Sequence, residues 1–317
     1  MKVLVAEPLG RAGLDLLERE HQVDVRTTMT RDEFLAALAD YDALLVRSGV
    51  KVDAEAFAAG RRLVVVGRAG VGTDNIDLDA ATRSGVAVVN APTANTIAAA
   101  EHTLALIFAL ARHVPAADAS LRRGEWRRAD FVGRELNGTA LGVVGLGKIG
   151  LAVADRARAL GMALQGSDPY VAADVAGDHG IALAGLDDLL RNADVVTLHV
   201  PLVAATRGMI GARELALMKP DALLVNVARG GLVDEVALAT ALAQGRLGGA
   251  AVDVFEHEPP RDSPLIAAPN TILTPHLGAS TAEAQERVSI EVVEQVLDLL
   301  AGRPAPNMVN APPTRVE

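Results

Sequence analysis

The chain has 317 residues, a length that suits two domains, and half of them are hydrophobic with few aromatics (5 Phe, 2 Tyr and 1 Trp), so its core is built from Ala, Leu and Val. A net charge of −10 argues against a nucleic-acid or anionic-membrane partner. The lack of cysteine excludes disulfides, thiolate catalysis, zinc fingers and iron–sulfur clusters.

At the amino end the apolar stretch of MKVLVAEPLG is too short for a signal peptide. Runs rich in β-branched residues at 2–6, 23–27, 43–47, 63–66 and 86–89 predict strands, with helical sequence such as 35–40 between them. Residues 95–113 are nearly all apolar and predict one long helix buried between domains or subunits. Its most apolar part, 103–111, is about half of the ~20 residues a bilayer span needs, so the chain reads as soluble and cytoplasmic. A second series of strands is predicted at 140–144, 163–166, 195–198, 223–227, 249–252 and 271–273, with helices at 149–160, 186–191 and 235–243. A last helix, 281–301, starts at an N-cap Thr281 and stops at Gly302 and Pro304. The tail 303–317 carries four prolines and reads as extended. Continuous apolar strands are buried on both faces, as in a parallel sheet covered by helices. Repeated βα units in both halves predict two doubly wound α/β domains.

The strand at 140–144 runs into Gly145, Gly147 and Gly150, spaced as GxGxxG, and a helix follows. The first glycine permits a tight turn, the second lets backbone approach a pyrophosphate, and the third lets helix and strand pack closely. The pyrophosphate then meets free N–H groups at a helix N-terminus. Asp168 lies 18 residues beyond Gly150 at the end of the next strand, where an acid grips the ribose hydroxyls of the adenosine half. No Arg or Lys adjoins it, and a carboxylate repels a 2′-phosphate, so NAD is expected over NADP. About 140 residues precede this loop, which points to a cofactor domain inserted into a discontinuous partner.

Three polar clusters follow later strands: 226–231 with Arg229, 253–259 with Asp253 and Glu258, and 274–278 with His276. Past the carboxyl ends of strands in an open α/β sheet, side chains face the ligand crevice. A carbonyl that takes a hydride needs an acid to protonate its oxygen and a cation to stabilise the charge. Histidine suits proton transfer near pH 7, a carboxylate fixes its tautomer, and arginine polarises the carbonyl. Taken singly, Arg229 also reads as a surface cation, Glu258 as a solvated acid and His276 as a loop histidine; His257 is a rival beside Glu258. His199 ends a strand and borders the expected cofactor. His21, His102, His113 and His179 lie far from the cluster in sequence and read as structural.

Several long motifs occur in order: Val-Arg-Ser at 46–48, VGRAGVGTDNID at 66–77, the GLGKIG loop, NVARGG at 226–231, VDVFEHEP at 252–259 and PHLGAST at 275–281. On these the chain resembles the D-2-hydroxyacid dehydrogenase family, and within it the branch that oxidises D-3-phosphoglycerate to 3-phosphohydroxypyruvate in serine biosynthesis. The resemblance implies a Rossmann NAD domain, residues 96–282, inserted into a flavodoxin-like substrate domain of residues 1–95 and 283–317. It implies Arg229, Glu258 and His276 as the catalytic set, with no metal. Beside the three glycines, it implies NAD contacts at Lys148, Ile149, Asp168, Val200, Val227, Ala228, Arg229, Asp253, His276 and Gly278. Substrate contacts fall on Ser48 and on the backbone of Ala69, Gly70, Val71 and Gly72. Val71 stands where some relatives have Thr, so a side-chain contact is lost there. A phosphorylated acid needs further cations, for which Arg47, Arg68 and Arg128 are the candidates. The resemblance also implies a homodimer or tetramer formed through the cofactor domain. The chain stops soon after a Val-Asn-Ala-Pro segment where many relatives continue into regulatory domains, so serine feedback through such a domain is not expected. The alternatives are another 2-keto acid reductase, such as a glyoxylate or hydroxypyruvate reductase, and an NAD-sensing co-repressor, which the acidic charge disfavours.

Overall fold

The computed structural model describes residues 1–312; the end of the expected tail, 313–317, lies outside the described residues. The chain divides into two units, one of residues 1–95 with the segment from 279 onward, the other of residues 96–278.

The first unit alternates β1 (Lys2–Val5), α1 (Arg11–Glu20), β2 (Gln22–Val25), α2 (Arg31–Leu38), β3 (Ala43–Val46), α3 (Ala54–Ala59), β4 (Val65–Arg68), α4 (Leu78–Arg83) and β5 (Ala87–Asn90). All five strands are parallel, in the order β2-β1-β3-β4-β5. Side chains alternate between faces, so Leu4, Leu44, Val66 and Val88 join one core while Val3, Val5, Leu45 and Val65 join another. That is why these strands read as unbroken apolar runs. Helix starts are set by side chains that accept free backbone N–H groups: Thr30 with Glu33 forms a capping box, and Asp53 and Asp77 cap α3 and α4. The unit is completed by the chain's last helix, α12 (Ala282–Leu300), capped by Thr281. Val292, Val293 and Val296 on α12 are fully buried, each contributing about 1.5–3 kcal/mol. Beyond it, Val309 N–H donates to the Val88 carbonyl and covers the β5 edge.

The second unit comprises α5 (Thr96–Ala111), α6 (Val114–Arg122), a 3-10 turn (Arg128–Phe131), β6 (Ala140–Val144), α7 (Lys148–Ala159), β7 (Ala163–Ser167), α8 (Ala173–Asp178), β8 (Ile181–Leu183), α9 (Leu186–Asn192), β9 (Val195–Leu198), α10 (Ala212–Leu217), β10 (Leu223–Asn226), α11 (Glu235–Ala243), β11 (Gly249–Val252), a 3-10 turn (Pro264–Ala267) and β12 (Thr271–Leu273). Its parallel sheet has the order β12-β11-β10-β9-β6-β7-β8. Again one core lies on each face. The order reverses between β9 and β6, which opens a crevice at their carboxyl ends.

Several expectations are corrected. The helix predicted over 95–113 breaks after Ala111, and α5 and α6 meet at 61°. Pro115 has no N–H for the Ala111 carbonyl four residues earlier; Arg134 N–H takes that carbonyl instead, at 2.9 Å. Strand β8 is an addition to the predicted set: it is a three-residue edge strand with one buried residue. The strand expected at 63–66 is Val65–Arg68, because its register pairs Ala43 with Val65. The return to the first unit falls at Ala279 rather than 283. No single described helix is long and apolar enough to cross a membrane.

Candidate active site

In the second unit, the loops that leave the carboxyl ends of the strands carry the candidate residues in spatial sequence. From one end they are Asp168 after β7, the glycine loop after β6, His199 and Val200 after β9, Val227 to Arg229 after β10, Asp253 and Glu258 after β11, and His276 after β12. With five strand spacings between β7 and β12, the row spans roughly 24 Å.

The glycine loop fits a dinucleotide. Gly145 has φ +92°, and a Cβ on it would lie 2.6 Å from the His199 carbonyl oxygen. A Cβ on Gly150 would lie 2.0 Å from the Gly145 carbonyl oxygen, so helix α7 packs against the turn only with glycine there. A Cβ on Gly147 would meet nothing within 4 Å; it would protrude into the open space before the α7 N-terminus, which no side chain caps. Unpaired N–H groups over open space are an anion cradle. Lys148 is exposed and Ile149 half-buried. Asp168 accepts from Leu146 N–H at 2.8 Å and Tyr170 N–H at 2.9 Å, so it also ties the glycine loop to the end of β7.

His199 N–H donates to the Val144 carbonyl at 2.7 Å, and its ring Nε2 lies 2.9 Å from Thr197 Oγ1. Burial pushes its imidazole down to about 4, so the ring is neutral at pH 7.

At the other end of the row, His276 Nδ1 lies 2.9 Å from Glu258 Oε2. Both side chains are about 40% exposed, so Nε2 remains accessible to a ligand. Burial acts to raise the Glu258 carboxyl, but the hydrogen bond and charge of His276 outweigh it and hold the acid below its usual range. Its Oε1 accepts from Phe255 N–H at 3.2 Å. His276 itself has φ 55°, a left-handed conformation uncommon for a non-glycine residue. His257, the rival, is exposed, and His276 is the imidazole paired with Glu258. Arg229 is half-buried, and one of its N–H groups donates to the Ala228 carbonyl at 2.7 Å. Asn226 holds this loop by accepting from Ala228 N–H at 3.1 Å and donating to the Arg229 carbonyl at 2.9 Å.

Asp253 is fully buried. Its Oδ1 accepts from Thr274 Oγ1 at 2.5 Å and Leu277 N–H at 2.7 Å, and its Oδ2 accepts from Gly278 N–H at 2.8 Å. His102 Nε2 lies 3.3 Å from the same Oδ1. Burial works to raise this carboxyl, yet these donors together hold it below its ordinary value, so it stays ionised. The carboxylate expected to touch NAD is thus committed to the loop that carries His276. His102, read from sequence as structural, belongs to the same network.

Apart from Arg128, the candidate substrate residues lie on the first unit. Arg47 and Arg68 stand at the carboxyl ends of the adjacent strands β3 and β4, with Ala69, Gly70, Val71 and Gly72 following β4. The loop bearing Arg47 and Ser48 is held by a residue that sequence reasoning missed: Glu7 accepts from the N–H groups of Arg47, Gly49 and Val50 at 2.6, 3.0 and 3.1 Å. Asn75 donates to the carbonyls of Arg47 and Val50. The Val71 carbonyl accepts from Asn90 Nδ2 at 2.5 Å. Arg128 belongs to the second unit and is exposed on its 3-10 turn.

Residues 104–278 match the family model described as D-isomer specific 2-hydroxyacid dehydrogenase, NAD binding domain. A D-3-phosphoglycerate dehydrogenase from Methanocaldococcus jannaschii is 50% identical over 313 residues, which are 98% of this chain and 60% of that protein. Across the curated relatives it matches, the chain spans between 50% and 60% of their length. A crystal structure of a protein from Thermus thermophilus superposes with a TM-score of 0.89 at 38% identity, covering 98% of this chain and 100% of that one. A glyoxylate reductase from Paecilomyes thermophila superposes with a TM-score of 0.88 at 31% identity, covering 98% of each chain. The row of loops, the glycine cradle and these matches lead to one conclusion: the chain belongs to the D-isomer specific 2-hydroxyacid dehydrogenases, and residues 104–278 are its match to their NAD-binding domain.

Proposed function

We propose that the protein catalyses the NAD-dependent oxidation of D-3-phosphoglycerate to 3-phosphohydroxypyruvate and the reverse reduction. The observation that carries the chemistry is the His276–Glu258 pair at 2.9 Å on the carboxyl edge of the cofactor sheet. The substrate rests on the 50% identity to a D-3-phosphoglycerate dehydrogenase over 98% of this chain.

NAD, when bound, accepts the hydride in oxidation and NADH returns it in reduction. Glu258 accepts the Nδ1–H of His276, which leaves Nε2 to exchange a proton with the substrate oxygen. In oxidation Nε2 takes the hydroxyl proton; in reduction it gives one to the forming alkoxide. Arg229 stabilises negative charge on that oxygen and grips the neighbouring carboxylate. Gly147, Lys148 and Ile149 receive the pyrophosphate, and Asp168 holds the adenosine ribose. Arg47 and Arg68 hold the anionic ends of the substrate, with Arg128 assigned to the phosphate from its basic run at 122–128.

We further infer a homodimer formed through α5, α6 and the turn that follows. Support comes from apolar side chains exposed there, among them Phe108, Val114, Leu121, Trp126 and Val132. A phosphorylated substrate and a dinucleotide cofactor, neither of which crosses a membrane unaided, support a cytoplasmic enzyme.

The test is turnover of a panel of 2-keto acids with NADH and NADPH, on the wild type and on Arg47→Ala, Arg68→Ala and Arg128→Ala. The expected substrate is phosphohydroxypyruvate, with NADH preferred. Losing one phosphate contact costs about 1.5–3 kcal/mol, or roughly 10- to 150-fold in kcat/KM, and less on hydroxypyruvate. A wild type that prefers glyoxylate or hydroxypyruvate is a reductase of the kind seen in the Paecilomyes relative. Binding of NAD without any turnover points to a dinucleotide sensor.

A further inference from the structure

His102 and His276 are far apart in sequence, yet one buried carboxylate connects them. His102 lies on α5 with its side chain 20% exposed, and Asp253, at the end of β11, is fully buried. The imidazole Nε2 is 3.3 Å from Asp253 Oδ1 and 3.2 Å from Thr274 Oγ1. Thr274 Oγ1 in turn donates to Asp253 Oδ1 at 2.5 Å. One ring N–H is therefore shared between two oxygens that already bond each other.

The remaining donors to Asp253 are the N–H groups of Leu277 and Gly278, the residues that follow His276. The His276 N–H donates to the Asp253 carbonyl at 2.8 Å. Asp253 thus grips the catalytic loop on both its main chain and its carboxylate. That grip opposes the strain of the left-handed backbone at His276, which would otherwise relax. A buried carboxylate turns toward whatever donors remain when one is lost. Removing His102 takes away one of the three donors to Oδ1 and leaves Thr274 Oγ1 and Leu277 N–H to set its orientation.

We propose that His102 is a positioning residue for the reaction: with Thr274 it fixes the Asp253 carboxylate, and through it the loop that aims His276. This rests on the reading of His276 as the proton-transfer group. The prediction is a loss in kcat rather than in binding, because neither Asp253 nor His102 need touch substrate for a displaced imidazole to lose its alignment. A misplacement on the order of 1 Å costs up to about 10²-fold.

The experiment compares His102→Leu with His102→Gln, whose amide N–H reaches the same oxygens. Kinetics with NADH and phosphohydroxypyruvate, NADH affinity by fluorescence, thermal midpoint, and hydrogen exchange at the Leu277 and Gly278 amides are measured on each. His102→Leu is expected to lower kcat by roughly 10- to 100-fold. KM and the NADH Kd should stay within about threefold, while the two amides exchange about tenfold faster. His102→Gln should recover kcat and protection. Thr274→Val, which removes the second oxygen, should move the same readouts in the same direction.

Wild-type kcat and wild-type amide protection in His102→Leu overturn the proposal. Equal losses in His102→Leu and His102→Gln, with a lower thermal midpoint or weaker NADH binding, also overturn it, since that pattern belongs to packing. A wild type that turns over no 2-keto acid refutes the proposed activity instead, and the exchange of Leu277 and Gly278 still decides whether His102 holds the loop.

Discussion

At the scale of single residues, two histidines that follow strands of the same sheet, His199 after β9 and His276 after β12, are put to opposite uses. His276 is exposed and paired with a carboxylate that can balance a proton on its ring. His199 is half-buried beside Thr197, and desolvation of its ring keeps it neutral. His276→Ala should therefore lose roughly 10²–10⁴-fold in kcat, the usual worth of acid–base catalysis, with NADH affinity little changed in a fluorescence titration. An active His276→Ala beside an inactive His257→Ala would reassign the role. For His199 the expectation concerns stability. Its imidazole ionises near 6.5 in the unfolded chain and at about 4 in the fold. Between those values the unfolded chain binds a proton that the native one does not, so stability falls as pH drops from 6.5 to 4. The loss is on the order of 3 kcal/mol. His199→Asn should show a flatter profile of urea midpoints across that window, and an unchanged slope would show that the ring is not desolvated.

At the scale of elements, function depends on how each strand hands over to its loop. The turn from β6 to α7 needs Gly145 at φ +92°, with the His199 carbonyl too close for a Cβ. Gly145→Ala forces one of the two loops to move, and the cradle before α7 loses its shape. NADH affinity should fall at least roughly tenfold, or about 1.4 kcal/mol, in equilibrium titration. An unchanged affinity would mean that the pyrophosphate does not lie over this turn. The first unit organises its loop with a side chain instead: Glu7, after β1, gathers the N–H groups of Arg47, Gly49 and Val50 in the loop after β3. In both units the carboxyl end of one strand is organised by a side chain or carbonyl from the next.

At the scale of the whole molecule, each unit owns its sheet and both of that sheet's cores. Among the described residues, the two cores of the second unit contain no side chain from the first, and the two that cover the faces of β1 to β5 contain none from the second. The second unit is also one continuous stretch of chain, residues 96–278. Expressed alone, that stretch should fold, unfold cooperatively and bind NADH within about tenfold of the full chain. An unfolded far-ultraviolet spectrum for the fragment would show that its cores depend on the rest of the protein. The first unit, assembled from two separate stretches of chain, has no such route, because α12 supplies Val292, Val293 and Val296 to its core.

The sequence by itself determined what repeats locally. Apolar runs at strand spacing marked the two-faced strands, the glycine spacing marked the turn before α7, and Arg229, Glu258 and His276 each stood just past a strand. Cap residues such as Thr281 were legible because their partner lies three residues on. Only the tertiary structure decided the break at Ala111, where the carbonyl orphaned by Pro115 is taken by Arg134 from a later loop. It also decided that Asp253 serves the His276 loop, that Glu7 serves the Arg47 loop, and that His102 stands 3.3 Å from a carboxylate 151 residues away. Periodicity and capping act within a turn or a pleat and leave a trace in spacing. A hydrogen bond between distant segments is set by where the sheet order brings them, and no spacing records it.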